Sequence, residues 1–127
     1  MRKIGVMLGG QQPVDAVALD AAAAHTGWGE ASSVPLHARV GEVEIYYLHR
    51  HGREQSINPH QINSRANIAC LHALGVEALI GLYTVGSVDP ELPVGGVVAP
   101  SQIIDYTWDV CDVMSEFLLS YLLSVKV

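Results

Sequence analysis

The chain has 127 residues, half of them apolar and 16% charged, which suits one domain with its own core and argues against disorder. Seven Lys and Arg against thirteen Asp and Glu give a formal charge of −6. That excludes the broad basic surface of a general nucleic-acid or anionic-membrane binder, so any anion would be held at a local site.

The first residues, "MRKIGVMLGG", join a basic pair to an apolar run too short for a signal peptide or a membrane span. Ile4 to Leu8 predicts a buried strand entering a tight turn at Gly9-Gly10. Asp15 to His25, "DAVALDAAAAH", has helical propensity but a weak apolar face, and Thr26 to Pro35 is loop chemistry. Val43 to Leu48 is rich in β-branched and aromatic residues and predicts a strand. A helix follows in expectation, with Asn58 as cap, Pro59 in the first position and Gly75 as a left-handed stop. Ile62, Ala66, Ala69 and Ala73, with Cys70 and Leu74 beside them, give it a 3.6-residue period. Ala78 to Tyr83 is apolar on both faces, hence a central strand, and Gly96 to Asp105 holds two shorter strands. Polar residues at 109, 112, 116 and 120 among apolar ones predict an amphipathic helix over 108–127, interrupted too often by acids to span a membrane. The order predicts an α/β domain with a mixed, partly parallel sheet flanked by helices. Cys70 and Cys111 are too few and too far apart for a disulfide framework or a zinc knuckle, which fits a reduced, cytoplasmic chain.

The chemistry concentrates in Arg50 to Ile68, "RHGREQSINPHQINSRANI". Three of the seven basic residues lie there, and Glu54 is its one acid. Arg50 and His51 follow a predicted strand, where open α/β sheets place ligands, and a guanidinium with an imidazole suits phosphate. The bland alternative is a surface salt bridge and a solvated loop histidine. Gly9-Gly10-Gln11 would let backbone N–H groups approach an anion, although such a turn is often purely structural, and no P-loop or dinucleotide motif is present. His49, His51 and His60 raise a metal reading, but no Cys or acid completes a ligand set at recognisable spacing. Asn63, Arg65 and Asn67 read better as polar anchors for neighbouring loops than as ligand contacts. Tyr83 to Ser87 ends a strand in a glycine turn, a second place for backbone amides to meet an anion.

In combination these stretches resemble a known family. "LHRHGREQSINPHQINSRANIACLHALGVEALI" is similar to the R-H-G…P-H-x-x-N-x-R-A-N segment of the methylthioadenosine/methylthioinosine phosphorylases, relatives of trimeric purine nucleoside phosphorylases. "HTGWGEAS" resembles that family's T-P-Y-G-x-P-S, and "VGSVDPELPVGGVVAPSQIIDYT" its A-V-G-S…L-x-P-G-x-x-V-P-x-Q-x-I-D-x-T. The resemblance implies a nucleoside phosphorylase-like fold and phosphorolysis of 5′-methylthio-purine nucleosides to free purine and methylthioribose 1-phosphate. It implies that Arg50 and His51 clasp phosphate with help from amides around Tyr83 and Thr84, and that His60 lies near the sugar. Inorganic phosphate is the co-substrate, with no cofactor or metal, and the assembly is a homo-oligomer, a trimer or hexamer. "SQIIDYT" is similar to the bacterial methylthioinosine branch.

Three departures accompany the likeness. Gln11-Gln12 stands where the family has a phosphate-binding Ser or Thr and a closing Gly. Tyr83-Thr84 replaces a smaller Asn/Thr-Ala step, so both changes crowd the phosphate pocket. The motifs stop after Thr107, so the expected organisation is an N-terminal half-domain, 1–107, followed by a helix at 108–127 without a family counterpart. The residues that read and protonate the purine are not among these motifs, which leaves the catalytic residues unassigned. The alternatives are a non-catalytic phosphate- or nucleoside-binding fragment, or a general purine nucleoside phosphorylase.

Overall fold

The computed structural model describes residues 1–102, 104 and 106, together with the backbone of Ser120–Lys126. Its strands are β1 (Arg2–Leu8), β2 (Val17–Ala18), β3 (His25–Thr26), β4 (Gly29–Glu30), β5 (Leu36–Val40), β6 (Val43–His49), β7 (Ala78–Thr84), β8 (Val97–Val98) and β9 (Ser120–Lys126). One α-helix, α1 (Ser64–Ala73), joins β6 to β7, and short 3₁₀ turns occupy Ala21–Ala24 and Pro59–Gln61.

Seven strands form one sheet in the order β2-β5-β6-β1-β7-β9-β8, and β3 and β4 make a separate hairpin. β6, β1, β7 and β9 run parallel, while β2, β5 and β8 are antiparallel additions at the two sides. This is the mixed, partly parallel α/β sheet that the sequence predicts. Gly5 and Met7 of β1 lie level with Tyr46 and Leu48 of β6, and with Leu79 and Gly81 of β7. Met7, Tyr46, Leu48 and Leu79 pack with Cys70 and Leu71 of α1 into the core, where Leu48 and Leu71 are completely buried.

The β1, β6 and β7 expectations agree with the structure to within two residues. The helix expected from Asn58 is shorter and starts later. Pro59–Gln61 makes one 3₁₀ turn, Ile62 returns to an extended ψ of 123°, and α1 begins after Asn63. Asn58 caps nothing with its side chain, whereas Asn63 Oδ1 accepts the Ala66 N–H at 3.1 Å. Asn63 wins because its amide also donates to the Trp28 carbonyl at 2.9 Å, a tertiary contact that fixes the start of the helix. The helix does end at Gly75, whose φ is 80°, with Gly75 N–H on His72 O and Val76 N–H on Leu71 O.

Three further expectations change. Asp15–His25 is not a helix: Val17–Ala18 pairs with β5, and the alanines form only a 3₁₀ turn capped by Asp20. Alanine propensity is a weak term, and without an apolar stripe no packing sustains a longer helix. β5 was not predicted; it folds back on β6 through Gly41, whose φ of 60° is the glycine conformation of a tight hairpin. The helix expected over 108–127 is corrected at 120–126, which form β9, parallel to β7 along all seven residues. Without that ladder β7 would be an open sheet edge, and pairing satisfies its backbone groups. Residues 108–119 and 127 of that expectation lie outside the described residues. Of the two strands expected within Gly96–Asp105, Val97–Val98 is present, and the second includes Ile103 and Asp105, which are not described. Among the described residues no helix is long and apolar enough to cross a membrane.

Candidate phosphate site at the strand ends

β6, β1 and β7 lie side by side and parallel, so their C-terminal ends bring together His49-Arg50, Leu8-Gly9 and Leu82-Thr84. Parallel α/β sheets bind ligands in the crevice at such ends. Arg50 is fastened there by several bonds. Its N–H donates to Leu8 O at 3.0 Å, and its Nη1 donates to Leu82 O at 2.9 Å. Its guanidinium carbon lies 4.4 Å from the centre of the Tyr83 ring. A Cβ on Gly9 would lie 3.2 Å from Arg50 Nη2, so glycine at that position leaves room for the guanidinium. Burial pulls the Arg50 pKa below the ordinary guanidinium value, and Tyr83 partly offsets this. The group stays cationic, since an arginine in a protein does not give up its proton.

Tyr83 reaches back over its own strand. A Cβ on Gly81 would meet Tyr83 Cε2 at 2.5 Å, so only glycine admits the ring there. The bulky residue in place of the family's small step therefore lies against Arg50. Thr84 is exposed at the end of β7.

His51 is half-buried, and its Nδ1 meets the Ile57 carbonyl at 2.9 Å. A carbonyl only accepts, so Nδ1 carries a proton and Nε2 is left for a ligand. The loop that bears both residues closes on itself through Gly52 N–H on His49 O and Ile57 N–H on His51 O. Two residues of this site were not expected in it: Gln55 was not singled out, and His49 was raised only in the metal reading. Gln55, at a φ of 55°, donates from Nε2 to Gly9 O at 2.8 Å and to Gly52 O at 3.2 Å, tying the two loops together. His49, fully buried, meets Gln11 O through Nε2 at 2.9 Å and donates its backbone N–H to Ser33 Oγ at 3.0 Å. The only sequence signal for them was position: each flanks the Arg50-His51 pair or its loop. Gln11 itself turns its side chain back onto the glycine turn, where Oε1 accepts the Gly9 N–H at 2.9 Å.

His60 is exposed on the 3₁₀ turn, outside the bonds that join Gly9, Gln11, Arg50 and Gln55. Asn63 and Asn67 anchor a loop: Asn67 Oδ1 accepts Ser32 N–H at 2.7 Å and its Nδ2 donates to Ser32 Oγ at 3.0 Å. Arg65 stacks on Trp28 with its guanidinium carbon 5.2 Å from the ring centre. These are the loop contacts favoured by the sequence reading. A cleft of about 420 Å³ lies beside the site loop, between Leu19, Ser32 and Ser33 on one side and Gly52, Arg53 and Glu54 on the other. Among the described residues no group of three or more His, Cys, Asp or Glu is gathered for a metal ion.

Fold and strand-end site thus define an α/β domain of the nucleoside phosphorylase type. The chain belongs to the Phosphorylase superfamily, whose family model matches residues 3–116. The chain is 39% identical over 82 residues to the probable S-methyl-5′-thioinosine phosphorylase of Thermodesulfovibrio yellowstonii, covering 65% of this chain and 31% of that protein. It is 52% identical over 68 residues to the 6-oxopurine nucleoside phosphorylase of Pyrococcus furiosus, covering 54% of this chain and 26% of the relative. Among solved structures, a methylthioadenosine phosphorylase from Schistosoma mansoni in complex with adenine superimposes with a TM-score of 0.72 at 28% identity, over 86% of this chain and 38% of that one. The chain therefore spans about a third of the length of the relatives it matches.

Proposed function

We propose that this chain supplies the phosphate-binding part of a phosphorylase acting on 5′-methylthio-purine nucleosides, methylthioinosine or methylthioadenosine. One observation carries the reading: Arg50 is held half-buried at the ends of three parallel strands, between Gly9 and Tyr83, in a chain of net charge −6. Arg50 has five N–H donors, and the bond to Leu82 O uses one of them. The rest, with amides near Tyr83 and Thr84, would grip the phosphate oxygens beneath the sugar, with Gln11 at the turn and His60 toward the sugar. His51 Nε2, unprotonated when Nδ1 donates to Ile57 O, would accept the O–H of hydrogen phosphate. A phosphate oxygen would then form a bond to the anomeric carbon as the bond from that carbon to the purine nitrogen breaks. The electron pair leaves with the base, which takes up a proton, and holding the phosphate in line lowers the barrier by orientation.

The reaction needs no dissociable cofactor, and we place the protein in the cytoplasm, in purine salvage, as a homotrimer or hexamer. The likeness to the 6-oxopurine enzyme supports a second reading, phosphorolysis of ordinary 6-oxopurine nucleosides. No acid is bonded into the Arg50 network among the described residues, so we expect the 127-residue chain alone to bind phosphate with little turnover. Two measurements test this. Calorimetric titration with phosphate should give heat with the parent and none with Arg50→Ala, because charge-assisted bonds to arginine contribute on the order of 1.5–3 kcal/mol each. Equal heats would remove Arg50 from the site. Robust phosphorolysis of methylthioinosine by the purified chain would show that a purine-protonating group lies within it.

A further inference from the structure

At the glycine turn, a backbone N–H, a guanidinium and an amide oxygen converge. Gly9 N–H donates to Gln11 Oε1 at 2.9 Å, and since a donor needs an acceptor, the bond itself identifies that amide atom as oxygen. From the point where a Gly9 Cβ would stand, Gln11 Oε1 is 3.4 Å away, and Arg50 Nη2 and Nη1 are 3.2 and 3.4 Å away. A neutral oxygen thus sits on a backbone donor beside a half-buried cation, the surroundings suited to one oxygen of a phosphate. The backbone of the turn is pinned on both sides, by Gln55 on Gly9 O and by His49 on Gln11 O. The Gln11 side chain is half-buried and held by one neutral hydrogen bond, so it can leave while the turn stays in place.

We propose that Gln11 is an intramolecular competitor for the anion: its amide oxygen occupies the Gly9 N–H until phosphate displaces it. This rests on the phosphate reading above and makes residue 11 the one that sets phosphate affinity. Removing the competitor frees a donor without touching Arg50. Replacing it with a carboxylate of equal length puts a charged competitor on the same donor, next to the guanidinium.

Phosphate titrations of the full chain, followed by calorimetry and by the Gly9 amide resonance, test it. Gln11→Ala should bind phosphate roughly three- to tenfold more tightly than the parent, the range expected for losing one neutral competing hydrogen bond. Gln11→Ser, a second small variant should the first fold poorly, should also bind more tightly. Gln11→Glu should weaken binding roughly tenfold or more. In the parent the Gly9 resonance should move on adding phosphate. If both small variants bind phosphate more weakly than the parent, or equally well, while Arg50→Ala abolishes binding, Gln11 is a ligand or a bystander. The competitor is then overturned and the phosphate site stands. If neither the parent nor the small variants bind phosphate, the phosphate reading falls, and this inference with it.

Discussion

Arg50 shows how a charged side chain is aimed rather than merely exposed. The Leu82 carbonyl fixes one nitrogen, the Tyr83 face covers the plane, and Gly9 lets the group approach the backbone. The place of Arg50 and His51 just past a strand was legible in the sequence, because the period of side chains predicts the position of the strand end. The contacts of Gln55 and His49 were not legible. Their bonds to the first glycine turn span 46 and 38 residues, and no local pattern records them. Cys70 offers a test of burial at the same scale. It is 1% exposed, its Sγ bonds to Ala23 O at 3.0 Å, and burial pushes its pKa up from 9.0 to about 11. Folding therefore favours the neutral thiol. The contribution is whole below pH 9, where the unfolded thiol is also protonated, and is lost as the pH rises from 9 toward 11. At about 1.4 kcal/mol per pK unit this amounts to roughly 2–3 kcal/mol. Urea unfolding at pH 8 and pH 10.5 should show the parent losing more stability on alkalinisation than Cys70→Ala, even if that variant starts weaker. Parallel losses would mean that the thiolate is accommodated in the fold.

At the scale of elements, α1 separates a sequence signal from a structural one. Asn58-Pro59 carries the stronger local start signal, but Asn63 makes the cap and also holds the Trp28 carbonyl. Asn63→Ala should therefore cost about 1 kcal/mol or more, the usual value of a lost cap plus a tertiary bond. Asn58→Ala should stay within about 0.5 kcal/mol of the parent, since its side chain reaches only Gln61 on the surface. Thermal or urea unfolding of the two variants compares them directly. A larger loss at Asn58 would restore the longer helix. The stop of α1 was legible because a left-handed glycine after an apolar period is a local feature. Its start was not, because two asparagines compete and a loop more than thirty residues away decides between them.

For the whole molecule, the sheet is completed by a strand that arrives from the far end of the sequence. β9 runs beside β7 and β8 beyond it, so β7 is an interior strand. Deleting residues 120–127 should leave β7 as an open edge, with faster amide exchange between Ala78 and Thr84 and greater self-association on size-exclusion chromatography. Unchanged exchange in β7 would mean that the β9 ladder adds no protection. The sequence by itself determined the α/β class, the strands β1, β6 and β7, the place of Arg50 and His51 just past a strand, and the family, because apolar period, glycine turns and motif spacing are local and survive without a fold. Tertiary structure alone decided the strand at 120–126, the hairpin of β5, the true cap of α1 and the turning of Gln11 onto the Gly9 N–H. In each of these the local preferences were weak or evenly matched. The outcome was settled by backbone groups that had to find hydrogen-bond partners distant in sequence.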